Sequence, residues 1–354
     1  MKILAINPGS TSTKVALYED DRELFSMAVR HDRASLPRSV FEQLPIRAKI
    51  LHSFLEEQHV DLWELSAVVG RGGPLPPIKS GGYLVGQAML EALHSDRIPP
   101  HASILGALLA HELAQPLGIP AYIYDAISAC SLSDMARITG FPEIRREAKC
   151  HVLNSRATAR KAAEKRGRRY EDMRFVVAHL GGGISVSAHI GGEVVDVSSD
   201  DDGAFSPERS GGVPLLDVVE LCYSGKYTRE EMRHKVRGEG GLRALLGTTE
   251  CAEIEERIQA GDAYAKLVYE AQAYQIVKGI GVIAAAMRFD VDCIILTGGM
   301  AYSKMLTDDV RSYVEKIAPV EVWPGENEME ALALGAYRIL KGEEIAREYK
   351  GAEL

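Results

Sequence analysis

Three short stretches of this chain place glycine directly after an apolar run. In LAINPGSTSTKVALY the turn also carries the amide of Asn7, the hydroxyls of Ser10, Ser12 and Thr13, and the ammonium of Lys14. In AHLGGGISVSAH an imidazole, His179, precedes Gly181, Gly182 and Gly183. The third turn is Gly298-Gly299, after the segment 292–297 with its apolar run Cys293–Leu296. Turns built from small residues expose backbone N–H groups that converge on an anion without steric hindrance, so the chemistry they suggest is phosphate binding. The spacing GxxxxGK[ST] of a P-loop is absent, and the first turn joins two strands instead of a strand and a helix. Lys14 fits a phosphate contact and an outward-facing strand residue equally well.

Single polar residues add to these turns. Arg71 in VVGRGG and Arg209 in SPERSGG stand among glycine and other small residues, where a guanidinium can meet a phosphate or carboxylate through two hydrogen bonds. His101, His151 and His179 fall at proline, glycine or helix boundaries. Asp125 follows the short apolar segment 121–124, the place where α/β sheets present a catalytic or metal-binding acid.

The elements that position these residues repeat. Residues 2–6, 14–18 and 23–29 read as three strands joined by tight turns, and residues 175–197 have the same strand–turn–strand–turn–strand pattern. Laid over each other at one constant offset, Asn7 falls on His179 and Gly9 on Gly181. Between the two meanders, helices are expected at 37–58, 104–114 and 151–165, with others at 263–287 and 328–349, the last with Gly335 and Gly342 as candidate kinks. Strands alternating with helices in both halves predict an α/β protein with a mixed sheet in each half.

A chain of 354 residues exceeds one ordinary core, so two domains are expected. A net charge of −9 argues against a nucleic-acid or anionic-membrane surface. No apolar run approaches a bilayer span, and the N-terminal one stops after six residues, short of a signal-peptide core. The five cysteines are odd in number, widely spaced and without a CxxC pair, which suits reduced thiols in a cytoplasm.

Taken in order along the chain, LAINPGSTSTKVAL, GRGGPLPPIKSGGY, HASILGALLAH, CHVLNSRATARK, AHLGGGISVSAH, SPERSGGVPLLD, GEGGLRALLGT, ILTGGMAYS and WPGENEMEALALGAYRIL resemble the acetate kinase family, in its shorter butyrate kinase branch. That family lies within the superfamily of acetate kinase, actin, heat-shock ATPases and sugar kinases. The resemblance covers essentially the whole chain. It implies two duplicated actin-like ATPase (RNase H-like) domains around a nucleotide cleft. They would span about 1–150 and 151–329, with a C-terminal helix near 330–354 packing on the first and the nucleotide held by the second.

The activity implied is reversible phosphoryl transfer between ATP and a short-chain fatty acid, giving an acyl phosphate and ADP with Mg²⁺. By motif, Asn7, Ser10, Ser12 and Lys14 would form one phosphate hairpin, and His179 with Gly181, Gly182 and Gly183 the other. Gly298 and Gly299 would lie near the adenosine, Arg71 and Arg209 would hold the carboxylate and the moving phosphoryl group, and His151 would stabilise that group. Asp125 and Glu328 would serve the metal, with Glu326 as the alternative to Glu328, and His101 would face the substrate. Where acetate kinases carry bulky residues around the acetate methyl, this chain has Gly73 and Cys150, which favours a four- or five-carbon acid. Isobutyrate, propionate and acetate are the alternatives within the family, and a dimer or larger homo-oligomer is expected from it. An ATPase sensor or chaperone would need a peptide-binding domain for which no residues are left over. A sugar kinase would use an aspartate base and would not need both arginines.

Overall fold

A computed structural model describes the chain except for residues 33–35, 38, 77, 96–97, 99, 148–149 and 352–354. It divides into two compact units, one made of Met1–Ser131 with Asn327–Leu354, the other of Leu132–Glu326.

In the first unit, β1 (Lys2–Pro8), β2 (Ser12–Glu19) and β3 (Arg22–Arg30) form an antiparallel meander. Then β4 (Leu65–Arg71) lies parallel to β1 on its other side, β6 (Ala121–Tyr124) lies parallel to β4, and the short β5 (Gly82–Leu84) runs antiparallel to β6. The parallel strands are apolar almost throughout because both faces are covered. Helix Ile104–Ala114 buries nine of its eleven residues against them. It comes so close to β4 that a Cβ on Gly70 would stand 2.0 Å from the Gly106 carbonyl oxygen. Glycine on both surfaces is what lets this helix touch the strand backbone just where Arg71 emerges.

The second unit repeats the pattern. There β7 (Arg174–Leu180), β8 (Ile184–Ile190) and β9 (Glu193–Ser198) form the meander, β10 (Cys293–Gly298) runs parallel to β7, and β11 (Val320–Pro324) runs parallel to β10. Asn7 is the next-to-last residue of β1 and His179 the next-to-last of β7, so the internal repeat legible in the sequence is a repeat of structure. The long helix Ala263–Ala286 covers this sheet, with Gly279 seated against Val186.

The chain then returns to the first unit through helix Glu328–Leu340 and β12 (Arg347–Glu348), which pairs with β5. The helix runs unbroken through Gly335. The missing side chain of Gly335 makes room for the Tyr124 ring, to which a Cβ would come within 2.5 Å. The helix expected to run to residue 349, and near 354 at the domain level, stops instead at Leu340. Gly342, at a φ of +74°, caps it in the left-handed conformation that glycine adopts freely. Residues 352–354 of that expectation lie outside the described residues.

The first predicted helix is also shorter than expected, running over Leu44–Glu57 after a single turn of 3₁₀ helix at Phe41–Gln43. Pro45 accounts for the start, because its missing N–H is tolerated only in a helix's first turn. Of the expected span, Arg38 lies outside the described residues. Four helices between 215 and 259 went unread, although Thr228 and Glu231 form a capping box that marks the start of Arg229–Val236. No described helix is long and apolar enough to cross a membrane.

Candidate active site

In the first unit the polar residues gather at the carboxyl ends of the parallel strands. Asn7 is the next-to-last residue of β1, Arg71 ends β4, and Asp125 follows β6, where Tyr124 pairs with Arg71. The buried Asn7 donates from Nδ2 to Glu328 Oε2 at 2.6 Å, and Arg71 Nη1 donates to Glu328 Oε1 at 2.7 Å. Glu328 opens the helix Glu328–Leu340, where a carboxylate is favoured by the positive end of the helix dipole. Three residues taken singly from the sequence thus form one hydrogen-bonded cluster.

Asp125 is held differently. It is buried at a φ of +42°, its Oδ1 accepts from the Gly81 N–H at 2.7 Å, and its own N–H donates to the Gly81 carbonyl at 3.1 Å. His101 is exposed at the start of helix Ile104–Ala114, with Nδ1 hydrogen-bonded to Ser103 Oγ at 2.7 Å. Gly73 is buried, and a Cβ there would approach Ile104 Cα at 3.1 Å, so packing alone already asks for a small residue. In the first hairpin Ser10 and Lys14 are exposed and Ser12 is half-buried.

In the second unit His151, at the start of helix Val152–Glu164, stacks on His179 with ring centroids 3.8 Å apart and planes 9° from parallel. His151 Nδ1 meets Ser185 Oγ at 3.0 Å. Asn154, one helical turn after His151, donates to His179 Nδ1 at 2.9 Å and to Thr297 Oγ1 at 3.2 Å. An amide NH₂ can only donate, so His179 Nδ1 accepts and its neutral ring carries the proton on Nε2. That Nε2 is buried without a hydrogen bond, with Glu326 Oε1 at 3.6 Å, and a Cβ on Gly181 would lie 2.9 Å from it. The histidine therefore presents an unused donor at the glycine turn.

The other turn residues converge on the same strand ends. Gly182 has open space above its Cα, and its carbonyl accepts from Ser206 Oγ at 2.6 Å. Gly183 lies against Arg209, where a Cβ would stand 2.5 Å from Nη1. Arg209 is ion-paired with Asp200, whose other oxygen takes Arg237 Nη2 at 3.2 Å, while Arg237 also reaches Asp201 at 2.5 Å. Burial, with the charge of Arg237 second, pulls the Arg209 pKa down to about 10. Gly298 adopts a φ of +93°, and a Cβ there would strike the Leu180 carbonyl oxygen at 2.4 Å. Gly299 beside it faces open space, and Cys150 is buried next to His151.

Asn154, Asp200 and Arg237 were missed from sequence. Asn154 could have been found as the polar residue three positions after His151 on one helix face, and Asp200 within the acidic run after β9. Among the described residues no group of three or more His, Cys, Asp or Glu is placed to hold a metal ion by itself. Magnesium commonly takes only one or two protein carboxylates, with phosphate and water supplying the rest. Glu328, whose two oxygens each accept one of their possible hydrogen bonds, retains lone pairs for such a role.

The fold is that of the actin-like ATPase class. Residues 143–320 match the model of the Acetokinase family. The chain is 48% identical over 351 residues to a protein named probable butyrate kinase 2 from Caldanaerobacter subterraneus, covering 98% of this chain and 99% of that one. It is 44% identical over 353 residues to butyrate kinase 2 from Clostridium acetobutylicum, covering 99% of each. A crystal structure of Porphyromonas gingivalis acetate kinase superposes with a TM-score of 0.82 at 20% identity, over 96% of this chain and 99% of that one. The chain belongs to the acetokinase family.

Proposed function

We propose that this protein is a short-chain carboxylate kinase that converts butanoate and ATP to butanoyl phosphate and ADP. The observation that carries the proposal is the Asn7–Glu328–Arg71 cluster, in a chain that matches butyrate kinases from end to end. Arg71 is a cation at a strand end whose carboxylate partner is a side chain, so a substrate carboxylate meets a group already arranged to bind one.

In the reaction a carboxylate oxygen of the acid attacks the γ-phosphorus of ATP, a new C–O–P bond forms, the bond to the β-phosphate bridging oxygen breaks, and ADP leaves with that electron pair. The nucleophile is ionised at neutral pH and needs no general base. The work left to the protein is to offset repulsion between two anions and to stabilise charge on the in-line transition state. Arg71 orients the carboxylate. Arg209, His151 and the Nε2–H of His179, whose ring stacks on that of His151, would face the transferring phosphoryl group. Gly181, Gly182 and Gly183, together with Asn7, Ser10 and Ser12, bind phosphate oxygens, and Gly298 with Gly299 lies by the nucleoside. Asp125 and Glu328 would hold Mg²⁺, which supplies charge neutralisation between the phosphates when bound.

The names of the relatives favour a four-carbon acid, and the small residue Cys150 agrees with it, whereas the size of Gly73 is already set by packing on Ile104. Self-association belongs to the same proposal. It is supported by helix Leu215–Tyr223, which buries no residue and leaves Leu216 81% and Tyr223 88% exposed. Light scattering on the purified protein is expected to give at least a dimer.

The activity is tested by trapping acyl phosphate as hydroxamate, with ATP, Mg²⁺ and linear and branched acids of two to five carbons. Butanoate is expected to give the highest kcat/KM. No hydroxamate with any acid sinks the carboxylate-kinase assignment, and acetate outrunning butanoate sinks the chain-length assignment alone.

A further inference from the structure

The first hairpin has a back as well as a front. Behind it lies Arg47, in the first turn of helix Leu44–Glu57 and only 1% exposed. Its Nη1 donates to the Gly9 carbonyl at 2.9 Å, the Ser12 carbonyl at 3.4 Å and Thr13 Oγ1 at 3.3 Å. Its Nη2 donates to the Ser10 carbonyl at 3.1 Å, and Nε and Nη2 both reach Gln43 Oε1. Every one of these acceptors is neutral. Among the described residues no carboxylate pairs with this guanidinium.

Such a placement is unfavourable in three ways. A buried cation loses its hydration, finds no counter-charge, and stands at the positive end of a helix dipole. Burial lowers its pKa accordingly. Residues of this kind persist when an anion completes the site, since a charge partner within a low-dielectric surrounding interacts strongly. The loop is arranged to accept one. Its carbonyls are drawn toward Arg47, while the N–H groups of Ser10 and Thr11 and the hydroxyls of Ser10 and Ser12 donate to nothing among the described residues.

We propose that Arg47 is a positioning residue of the phosphate loop: it holds the carbonyls of Gly9, Ser10 and Ser12 inward, keeps the donor face outward, and has a bound phosphate as its charge partner across the loop. This rests on the carboxylate-kinase proposal for the identity of the reaction, but not for the anion itself. Arginine is suited to the task because its planar fork reaches several carbonyls at once, whereas lysine is a point charge with three clustered donors.

The test uses Arg47→Met and Arg47→Lys in the full-length protein, with kcat normalised to folded protein. Arg47→Met removes the charge at similar length, and is expected to lose at least half of the rise in Tm that inorganic phosphate produces in the unsubstituted protein. Arg47→Lys keeps the charge and is expected to retain most of that rise. Its kcat should fall roughly tenfold while KM for the acid stays within about twofold, because one lost donor set misplaces the loop without touching the carboxylate. An unchanged phosphate response in Arg47→Met overturns the charge partnership. If Arg47→Met does not fold, an unchanged kcat in Arg47→Lys overturns the positioning role. Loss of the phosphate response in Arg47→Met, in a protein that makes no acyl phosphate at all, refutes the carboxylate-kinase assignment and supports the loop assignment.

Discussion

Arg71 Nη1 lies 2.7 Å from Glu328 Oε1, although 257 residues separate them. One ends a parallel strand, the other starts the helix by which the chain re-enters its first unit, and Asn7 donates to the same carboxylate. In the proposed reaction Glu328 competes with the substrate for Arg71. Arg71→Ala is therefore expected to lower kcat roughly 100-fold or more, the scale for removing one preorganised donor to a developing charge. Glu328→Gln should lower kcat without raising KM for the acid. A raised KM with unchanged kcat in Glu328→Gln would contradict the competition.

The contact of Asn154 with His179 Nδ1 makes a separate prediction. Asn154→Leu should lower kcat roughly 10- to 100-fold, the scale for outer partners that orient a working histidine. Asn154→Asp should be at least as damaging, because its acceptor oxygen would draw the ring proton to Nδ1 and leave Nε2 without one. Steady-state kinetics decides this, and full activity in both variants would remove His179 from the phosphoryl contact.

Arg209 shares Asp200 with Arg237. Arg209→Ala is expected to cost about 100-fold in kcat. Asp200→Asn leaves two neighbouring cations without their shared anion and should raise KM for ATP or the acid more than it lowers stability, measured by urea unfolding beside the kinetics. Wild-type kinetics in Asp200→Asn would show that Arg209 needs no such support.

Outside the site, His189 is fully buried between Tyr170 OH, 2.7 Å from Nδ1, and Ser187 Oγ, 2.9 Å from Nε2. Burial, with Arg156 second, pushes its pKa down from 6.5 to about 3. Because the folded form resists protonation and the unfolded chain does not, stability from this group is complete above pH 6.5 and declines as pH falls toward 3. The Tm of the unsubstituted protein should therefore drop more steeply between those values than that of His189→Gln. Parallel Tm profiles would exclude the contribution.

Gly298 combines a φ of +93° with the Leu180 carbonyl 2.4 Å from where a Cβ would stand. Gly298→Ala is expected to cost more than about 1 kcal/mol in chemical unfolding, from left-handed strain together with the clash. Gly299→Ala, which meets open space, should cost less. Equal midpoints for the two variants would refute the packing role of Gly298.

Much of the frame was legible from residue order alone. Alternation and turn chemistry are local, so the meanders at 2–30 and 174–198, the helix Ile104–Ala114 and the internal repeat could be read directly. Glycine in turns and arginine among small residues were likewise visible, because close approach to an anion restricts the residue types that fit. Helix ends were read less well where the cap was not recognised, as at Leu340, where Gly342 terminates the helix that was expected to continue.

Partnership was decided by tertiary structure. Nothing local to Glu328 says that Asn7 and Arg71 will meet on it, nor that Asn154 will orient His179 or Asp200 hold Arg209, since those pairings depend on which strand lies beside which. Arg47 is the extreme case. In the sequence it is one more charged residue on an amphipathic helix, and only folding makes it a buried cation behind the hairpin, because hydrogen bonds to carbonyls leave no pattern in the residues that supply them.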